Sequence, residues 1–380
     1  MIKYAKSNTL MQKQNIVLIG FRGCGKTTFG AALAKFLKLP FADLDKEIEF
    51  YVGCSIEEFV EKHGWQNFRE IEQRVTHDFC RNFSGIIATG GGTIENSKNL
   101  QNLTKTGIFV FLNPNFSDVR RYLLKDKTRP RLNPDIPLAQ EIDQMWQQRK
   151  DIYGASANYE VRPELNGDPM EEAQKIVSSL PPDIFPKVPL KKKIALLSSS
   201  NGTTFQGLLD AKKRGRIPNV DFELFVTDKD DCGALEKAKK SGIKNIEVLT
   251  PQKGESVEDY DRELINIIRE VQPDHVIMAG WMKILSKLYC DVYGNTTWNV
   301  HPSLLPQFAG LQDKEIYEKV FEHEEKYTGC TIHRVTEEVD AGEIALQRKV
   351  LVEEFDGIDS LRIKVQRQEV LGFCELLERR

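Results

Sequence analysis

The chain reads as α/β, with two three-layer α/β domains in tandem. Three observations carry this: its length, a pattern that runs twice, and a proline-rich break between the two runs. At 380 residues it exceeds the roughly 250–300 residues at which one hydrophobic core stops growing. Short β-branched or apolar runs alternate with longer stretches of helical period, the layering of strands and covering helices. The pattern stops at Pro181-Pro182-Asp183-Ile184-Phe185-Pro186-Lys187-Val188-Pro189, with four prolines in nine residues. Proline fixes φ and lacks an N–H donor, so an extended spacer is expected there. The expected division is residues 1–180, a linker at 181–191, and residues 192–380.

Composition narrows the function. Apolar residues make up 40% and charged residues 29%, enough to build two cores. A net charge of −3 gives no general attraction to nucleic acid or to an anionic membrane, so small-molecule substrates are expected. Cys24, Cys54, Cys80, Cys232, Cys290, Cys330 and Cys374 form no C-x-x-C pair. This argues against a disulfide framework or zinc site and for a reducing cytoplasmic compartment. No run of 18 apolar residues is present, so no membrane span is expected. Residues 1–14 are polar and lysine-bearing, a loose extension without the apolar stretch of a signal peptide.

In the first half the strand candidates are 16–20, 85–89 and 107–112. The first runs into Gly20-Phe21-Arg22-Gly23-Cys24-Gly25-Lys26-Thr27, which fits G-x-x-x-x-G-K-[ST], and a helical stretch begins at Thr28. Glycines let the backbone N–H groups turn onto phosphate oxygens, Lys26 reaches the β/γ-phosphates, and Thr27 can ligand Mg²⁺. Asp43-Leu44-Asp45 follows a short apolar stretch. Placed at a strand end, i, i+2 spacing puts both carboxylates on one face, where one can hold a metal and the other a reacting hydroxyl. Phe68-Arg69-Glu70-Ile71-Glu72, Gly90-Gly91-Gly92, Arg129-Pro130-Arg131-Leu132 and Arg149 add cations and an N–H-rich turn. Alone, each arginine reads as a surface ion pair and the glycines as a turn. As an ordered set they suit an anionic acceptor.

This ordered set resembles shikimate kinase over residues 14–180. Gluconate and adenylate kinases share the phosphate loop but not the D-x-D, F-R-x-x-E and G-G-G together. The resemblance implies a P-loop kinase domain with a parallel sheet that phosphorylates shikimate from ATP. By it, Gly20, Gly23, Gly25, Lys26, Thr27, Thr28 and Arg129 bind ATP, and Thr27 and Asp43 hold Mg²⁺. Asp45 contacts the hydroxyl being phosphorylated, and Arg69, Arg149, Gly91 and Gly92 bind shikimate. Asp45 and the lid residue Arg129 are the catalytic pair it implies. Arg131 stands where that family usually has leucine.

In the second half the strand candidates are 193–198, 222–227, 245–249, 275–279, 297–300 and 329–335. In Asn299-Val300-His301-Pro302 the strand alternation turns Asn299 and His301 to one side, and Pro302 ends the ladder. An amide can donate to a forming oxyanion, and imidazole handles protons near neutrality. Asp340, in Val339-Asp340-Ala341-Gly342, is a candidate to orient or charge-stabilise His301.

The block from His275 to Leu285, the N-V-H-P-S-L-L-P run, and Thr328-Gly329-Cys330-Thr331-Ile332-His333 leading to Asp340 are similar to glycinamide ribonucleotide formyltransferase. The likeness spans about residues 192–380 and implies a Rossmann-like formyltransferase domain. By it, Asn299, His301 and Asp340 are a catalytic trio using 10-formyltetrahydrofolate. Met282, Lys283, Ile284 and Leu285, with Asn299 and Asp340, form the folate side. Gly202, Thr203, Thr204, Gln366 and Glu369 contact glycinamide ribonucleotide. The loop at 199–204 replaces the usual S-G-x-G-S-N, and an insertion lies at 318–326. Methionyl-tRNA formyltransferase is the alternative. Pro302 in place of glycine, an end 40 residues after Asp340, and the lack of a basic stripe count against it. A second alternative makes one half a non-catalytic nucleotide-binding or oligomerisation module. Against it stand Lys26, Asp45, Asn299, His301 and Asp340, all present. Two independent sites on a tether, without channelling, are expected.

Overall fold

A computed structural model describes residues 15–126, 131–133, 135–354 and 356–378. Packing divides the chain into two units, Met1–Pro189 and Leu190–Arg380, each built on its own sheet.

The first unit runs β1 (Asn15–Ile19), α1 (Lys26–Leu37), β2 (Phe41–Asp43), α2 (Leu44–Val52), α3 (Ile56–Asn82), β3 (Gly85–Ala88), α4 (Ser97–Thr106), β4 (Gly107–Leu112), α5 (Phe116–Lys125), α6 (Leu138–Ser156), β5 (Tyr159–Val161) and α7 (Pro169–Ser178). Its five strands are all parallel, in the order β2-β3-β1-β4-β5. The buried runs N-I-V-L-I and G-I-I-A are the continuous apolar pattern of strands covered on both faces. The edge strands β2 and β5 have three residues each, too few to show a period, and the sequence reading missed them. Helix α3 opens on a capping box between Ser55 and Glu58 and bends at Gly64. The phosphate loop, Asp43 and the 89–92 turn all leave the C-terminal ends of strands, where ligands gather in open parallel sheets.

The second unit runs β6 (Lys192–Leu197), α8 (Thr203–Lys213), β7 (Val220–Thr227), α9 (Gly233–Ser241), β8 (Asn245–Val248), α10 (Val257–Val271), β9 (His275–Met278), α11 (Lys287–Tyr293), β10 (Thr297–His301), α12 (Asp313–Glu322), β11 (Tyr327–Arg334), β12 (Ile344–Leu351) and α13 (Ile358–Glu378). The order is β12-β11-β10-β9-β6-β7-β8. Strands β6 to β10 are parallel, and β11 and β12 add an antiparallel hairpin at one edge. Strand β12 was not expected: Gln347-Arg348-Lys349 interrupts its apolar residues, and only Leu346 and Val350 reach the core. Helices α8 and α13 approach closely because Gly207 faces Val370, where a Cβ would clash.

The proline-rich segment is extended only in part. Pro182–Ile184 forms a 3₁₀ turn, and Ile184 is buried with Phe185 packed against the first unit's core. Two apolar side chains with a core within reach override the spacer expected from proline content. Val188 and Leu190 are 55% and 85% exposed, so the solvated stretch is short. Among the described residues, no helix is long and apolar enough to cross a membrane.

Candidate active sites

In the first unit, β1 delivers the chain into the phosphate loop, and α1 begins at Lys26 with its first N–H groups uncapped by any side chain. Gly25 sits at φ 89°, left-handed backbone that a side chain would strain. Lys26 is 7% exposed and donates to the carbonyls of Gly20 at 2.8 Å and Phe21 at 2.9 Å. Its ammonium thus rests on the loop and is close to wherever a phosphate would seat. Thr27 Oγ1 donates to Asp43 Oδ2 at 2.5 Å. A hydroxyl and a carboxylate side by side form an oxygen set that fits a small hard cation such as Mg²⁺.

Asp43 and Asp45 are not both on a strand. Asp43 ends β2 and caps α2, accepting from the Asp45 and Lys46 N–H groups at 3.0 and 3.4 Å, so Asp45 lies in the first helical turn. The cap converts the chain from pleat to helix between the two carboxylates, and strand alternation no longer applies. Asp45 still reaches the cavity: a Cβ on Gly90 would stand 2.5 Å from its Oδ1. Asp45, Thr89 and Gly91 line the same cavity of about 640 Å³ as Gly23, Lys26, Thr27 and Thr28.

The arginines converge on Gly92. A Cβ there would meet Arg69 Nη2 at 2.9 Å and Arg149 Nη2 at 3.3 Å, so glycine leaves the space two guanidiniums need. Each is aimed by an acid: Arg69 donates to Glu72 at 2.7 Å, with Thr93 donating to the other Glu72 oxygen at 2.8 Å. Arg149 pairs with Glu95 through Nε and Nη2. Arg149 is 6% exposed, a buried, partnered cation and not the surface pair it would be when read alone. Tyr153 Oη donates to the Gly91 carbonyl at 2.5 Å, fixing the glycine turn. Arg131, at the departure from leucine, pairs with the buried Glu141, which also accepts from the Leu132 N–H at 2.9 Å. Arg129 lies outside the described residues.

In the second unit, β10 carries Asn299 and His301 into a cavity of about 470 Å³ that Asp340 and His333 also line. The two neighbours of β10 explain the cluster. Parallel β9 stops opposite Asn299, while antiparallel β11 places His333 directly across from it. His301 Nδ1 lies 3.2 Å from Asp340 Oδ2, and His333 Nε2 lies 3.4 Å from Asp340 Oδ1. Asn299 Nδ2 is 3.3 Å from His333 Nε2. His301 Nε2 lies 3.0 Å from the Phe308 carbonyl, and the Gly310 N–H donates to Asp340 at 2.9 Å. Burial pushes the His301 pKa below its ordinary value, against the pull of Asp340 and the Phe308 carbonyl. Asp340 is pushed up by burial, yet hydrogen bonds from His333 and Gly310 and the charge of both imidazoles hold it below the usual carboxylate value.

His333, Phe308 and Gly310 escaped the sequence reading. The T-G-C-T-I-H block held the signal for His333, because strand pairing opposite Asn299 brings it into the cluster. No local pattern marks Phe308 or Gly310.

The rest of the cavity holds the other expected residues. Gly202 caps α8 at φ 68°, and a Cβ there would stand 2.8 Å from Ala234, so a side chain meets both strain and a clash. Thr203 and Thr204 open the helix, and Thr204 Oγ1 donates to Glu369 at 2.5 Å. Burial raises the Glu369 pKa to about 7, with Thr204 opposing and Asp313 adding. Gln366 lines the cavity one turn earlier on α13. At the other end Met282 and Ile284 are exposed, and Lys283 sits 4.7 Å over the Tyr260 ring. Leu285 borders the cavity but packs mainly into the core beside Tyr260 and Trp281.

Comparison with known proteins accounts for both units. Residues 22–181 match the family described as shikimate kinase, and residues 192–377 match the formyl transferase family. Over 176 residues the chain is 38% identical to phosphoribosylglycinamide formyltransferase of Escherichia coli (strain K12), spanning 46% of this chain and 81% of that one. The Haemophilus influenzae protein of the same name is 34% identical over 178 residues, 47% of this chain and 82% of the other. A shikimate kinase from Acinetobacter baumannii, solved in complex with shikimate, is 33% identical and covers 44% of this chain and 92% of its own, with a TM-score of 0.41. The chain therefore joins two enzyme families, a shikimate kinase domain in its first unit and, in its second, a member of the phosphoribosylglycinamide formyltransferases.

Proposed function

We propose that the chain is a bifunctional enzyme: ATP-dependent phosphorylation of shikimate to 3-phosphoshikimate in the first unit, and transfer of the formyl group of 10-formyltetrahydrofolate to glycinamide ribonucleotide in the second. The two sites act independently, on residues 1–180 and 192–380 with a tether at 181–191.

For the kinase, the carrying observation is the pair of acid-aimed guanidiniums over Gly92, beside a phosphate loop. In this reading Arg69 and Arg149 hold the acceptor carboxylate, and Gly91 and Gly92 leave room for its ring. Asp45 aligns the hydroxyl and takes its proton as the O–P bond forms. Lys26 exchanges its loop carbonyls for phosphate oxygens, and Arg129 completes the charge stabilisation. Thr27 and Asp43 would hold Mg²⁺, which neutralises phosphate charge when bound. Coupled ADP release with shikimate as acceptor tests it; ATP binding without turnover would support the binding-module alternative.

For the formyltransferase, the carrying observation is the contact of Asn299, His301 and Asp340 at one wall of a single cavity. The acceptor amine attacks the formyl carbon, and the Asn299 amide donates to the oxyanion. His301, with Asp340 ionised beside it, takes the amine proton and passes it to the departing folate nitrogen as the C–N bond breaks. Gly202, Thr203, Thr204, Gln366 and Glu369 hold the ribonucleotide, while Met282, Lys283, Ile284 and Leu285 flank the folate. Formyl transfer to glycinamide ribonucleotide, compared with charged initiator tRNA, tests this; activity on tRNA alone would sink it. The seven free thiols favour a reducing compartment such as the cytosol.

A further inference from the structure

Among the large apolar side chains of the first unit, Tyr122 is out of place. It lies on α5 between the buried Val119 and Leu123, yet is 52% exposed. Solvent-facing aromatic rings on an amphipathic helix serve no core. Its ring lies against the phosphate loop: a Cβ on Gly23 would stand 3.3 Å from Tyr122 Cδ1. It borders the cavity that holds Lys26 and Thr27 at one end and Leu165 and Asn166 at the other. Leu165 and Asn166 also border an adjoining cavity of about 630 Å³, so the space continues past the phosphate cradle in their direction.

We propose that Tyr122 is the platform on which the nucleobase of the phosphate donor stacks, with the Asn166 amide as the group that reads the base edge. The proposal rests on the nucleotide reading of the phosphate loop. A base has a flat π-face whatever its identity, so an aromatic platform binds purines and pyrimidines without discrimination. An amide, which donates and accepts, supplies what the ring lacks. The phosphate loop grips the charge, and Tyr122 grips the neutral end of the same molecule.

Calorimetric titration of the full chain with ATP, GTP and inorganic triphosphate separates these roles. Tyr122→Ala should weaken ATP and GTP by a similar factor, roughly tenfold or more, and leave triphosphate binding unchanged. Tyr122→Phe should bind all three as the unmodified chain does. Asn166→Ala should change the ratio of ATP to GTP affinity and leave triphosphate alone. Equal loss of ATP and triphosphate in Tyr122→Ala would overturn the proposal, because Tyr122 would then only shape the loop through Gly23. So would unchanged ATP affinity in that variant. If the unmodified chain bound neither ATP nor triphosphate, the nucleotide reading itself would fall, an outcome distinct from the first two.

Discussion

The two active sites differ in how far their groups are already committed. In the first unit the guanidiniums of Arg69 and Arg149 take their acid partners from the side and share the space over Gly92. In the second unit the groups satisfy one another: Asp340 touches both imidazoles, His333 meets Asn299, and Phe308 closes the far side of His301. The difference teaches that a charged clamp can be held open by lateral ion pairs, whereas a proton-handling cluster rests on its own hydrogen bonds. Substrate entry then adds contacts in the first site and exchanges them in the second.

The largest expected effect tests whether the two sites are separate at all. Lys26→Ala should lower kinase turnover by about 10³-fold or more, since phosphoryl transfer depends on positioned charge. Formyl transfer by the same protein should be unchanged; a parallel loss in a folded variant would break the comparison. Next, Asn299→Ala should cost formyl transfer about 10²–10³-fold in kcat, the usual effect of removing one oxyanion donor. The kinase assay is the control. Arg149→Lys should raise KM for the anionic acceptor by about tenfold or more, because an ammonium cannot replace a two-pronged guanidinium pair. A rise in the KM for ATP instead would move Arg149 to the nucleotide side.

Smaller effects come from titration. His301 is held below its ordinary pKa and Asp340 below the usual carboxylate range, so kcat/KM for formyl transfer should stay flat through neutral pH. It should fall only below about pH 6.5, the ordinary histidine value. Glu369, raised to about 7, keeps its proton when folded and loses it when unfolded. Its stabilising contribution is full below about pH 4.3, the unfolded carboxyl value, and fades as pH rises towards 7. Glu369→Gln should remove this slope from the unfolding curve of the second unit, a change on the order of 2 kcal/mol across the window. An identical slope in the variant would place the titration elsewhere.

What the sequence displayed was whatever local order could encode. The phosphate loop is contiguous from Gly20 to Thr27, and the two-residue step from Asn299 to His301 survives because β10 is regular there. Asp45 was misplaced because Asp43 serves both as the end of a strand and as a helix cap, and only the cap's hydrogen bonds decide between pleat and turn. His333 was hidden because its place depends on the pairing of β10 with β11, 34 residues away in sequence. Phe308 and Gly310 contribute only backbone atoms to the site, and backbone atoms carry no sequence signature. The edge strands β2, β5 and β12 were lost to shortness or to charge on an exposed face.

The burial of Ile184 sets the place where the halves can be parted. A cut made at residue 180, where the proline content begins, would strip a buried side chain and the neighbouring Phe185 from the kinase and uncover an oily socket. A cut between Val188 and Leu190 falls in solvent-facing chain and leaves that socket plugged. The seam of this fusion lies several residues beyond where its prolines first announce it.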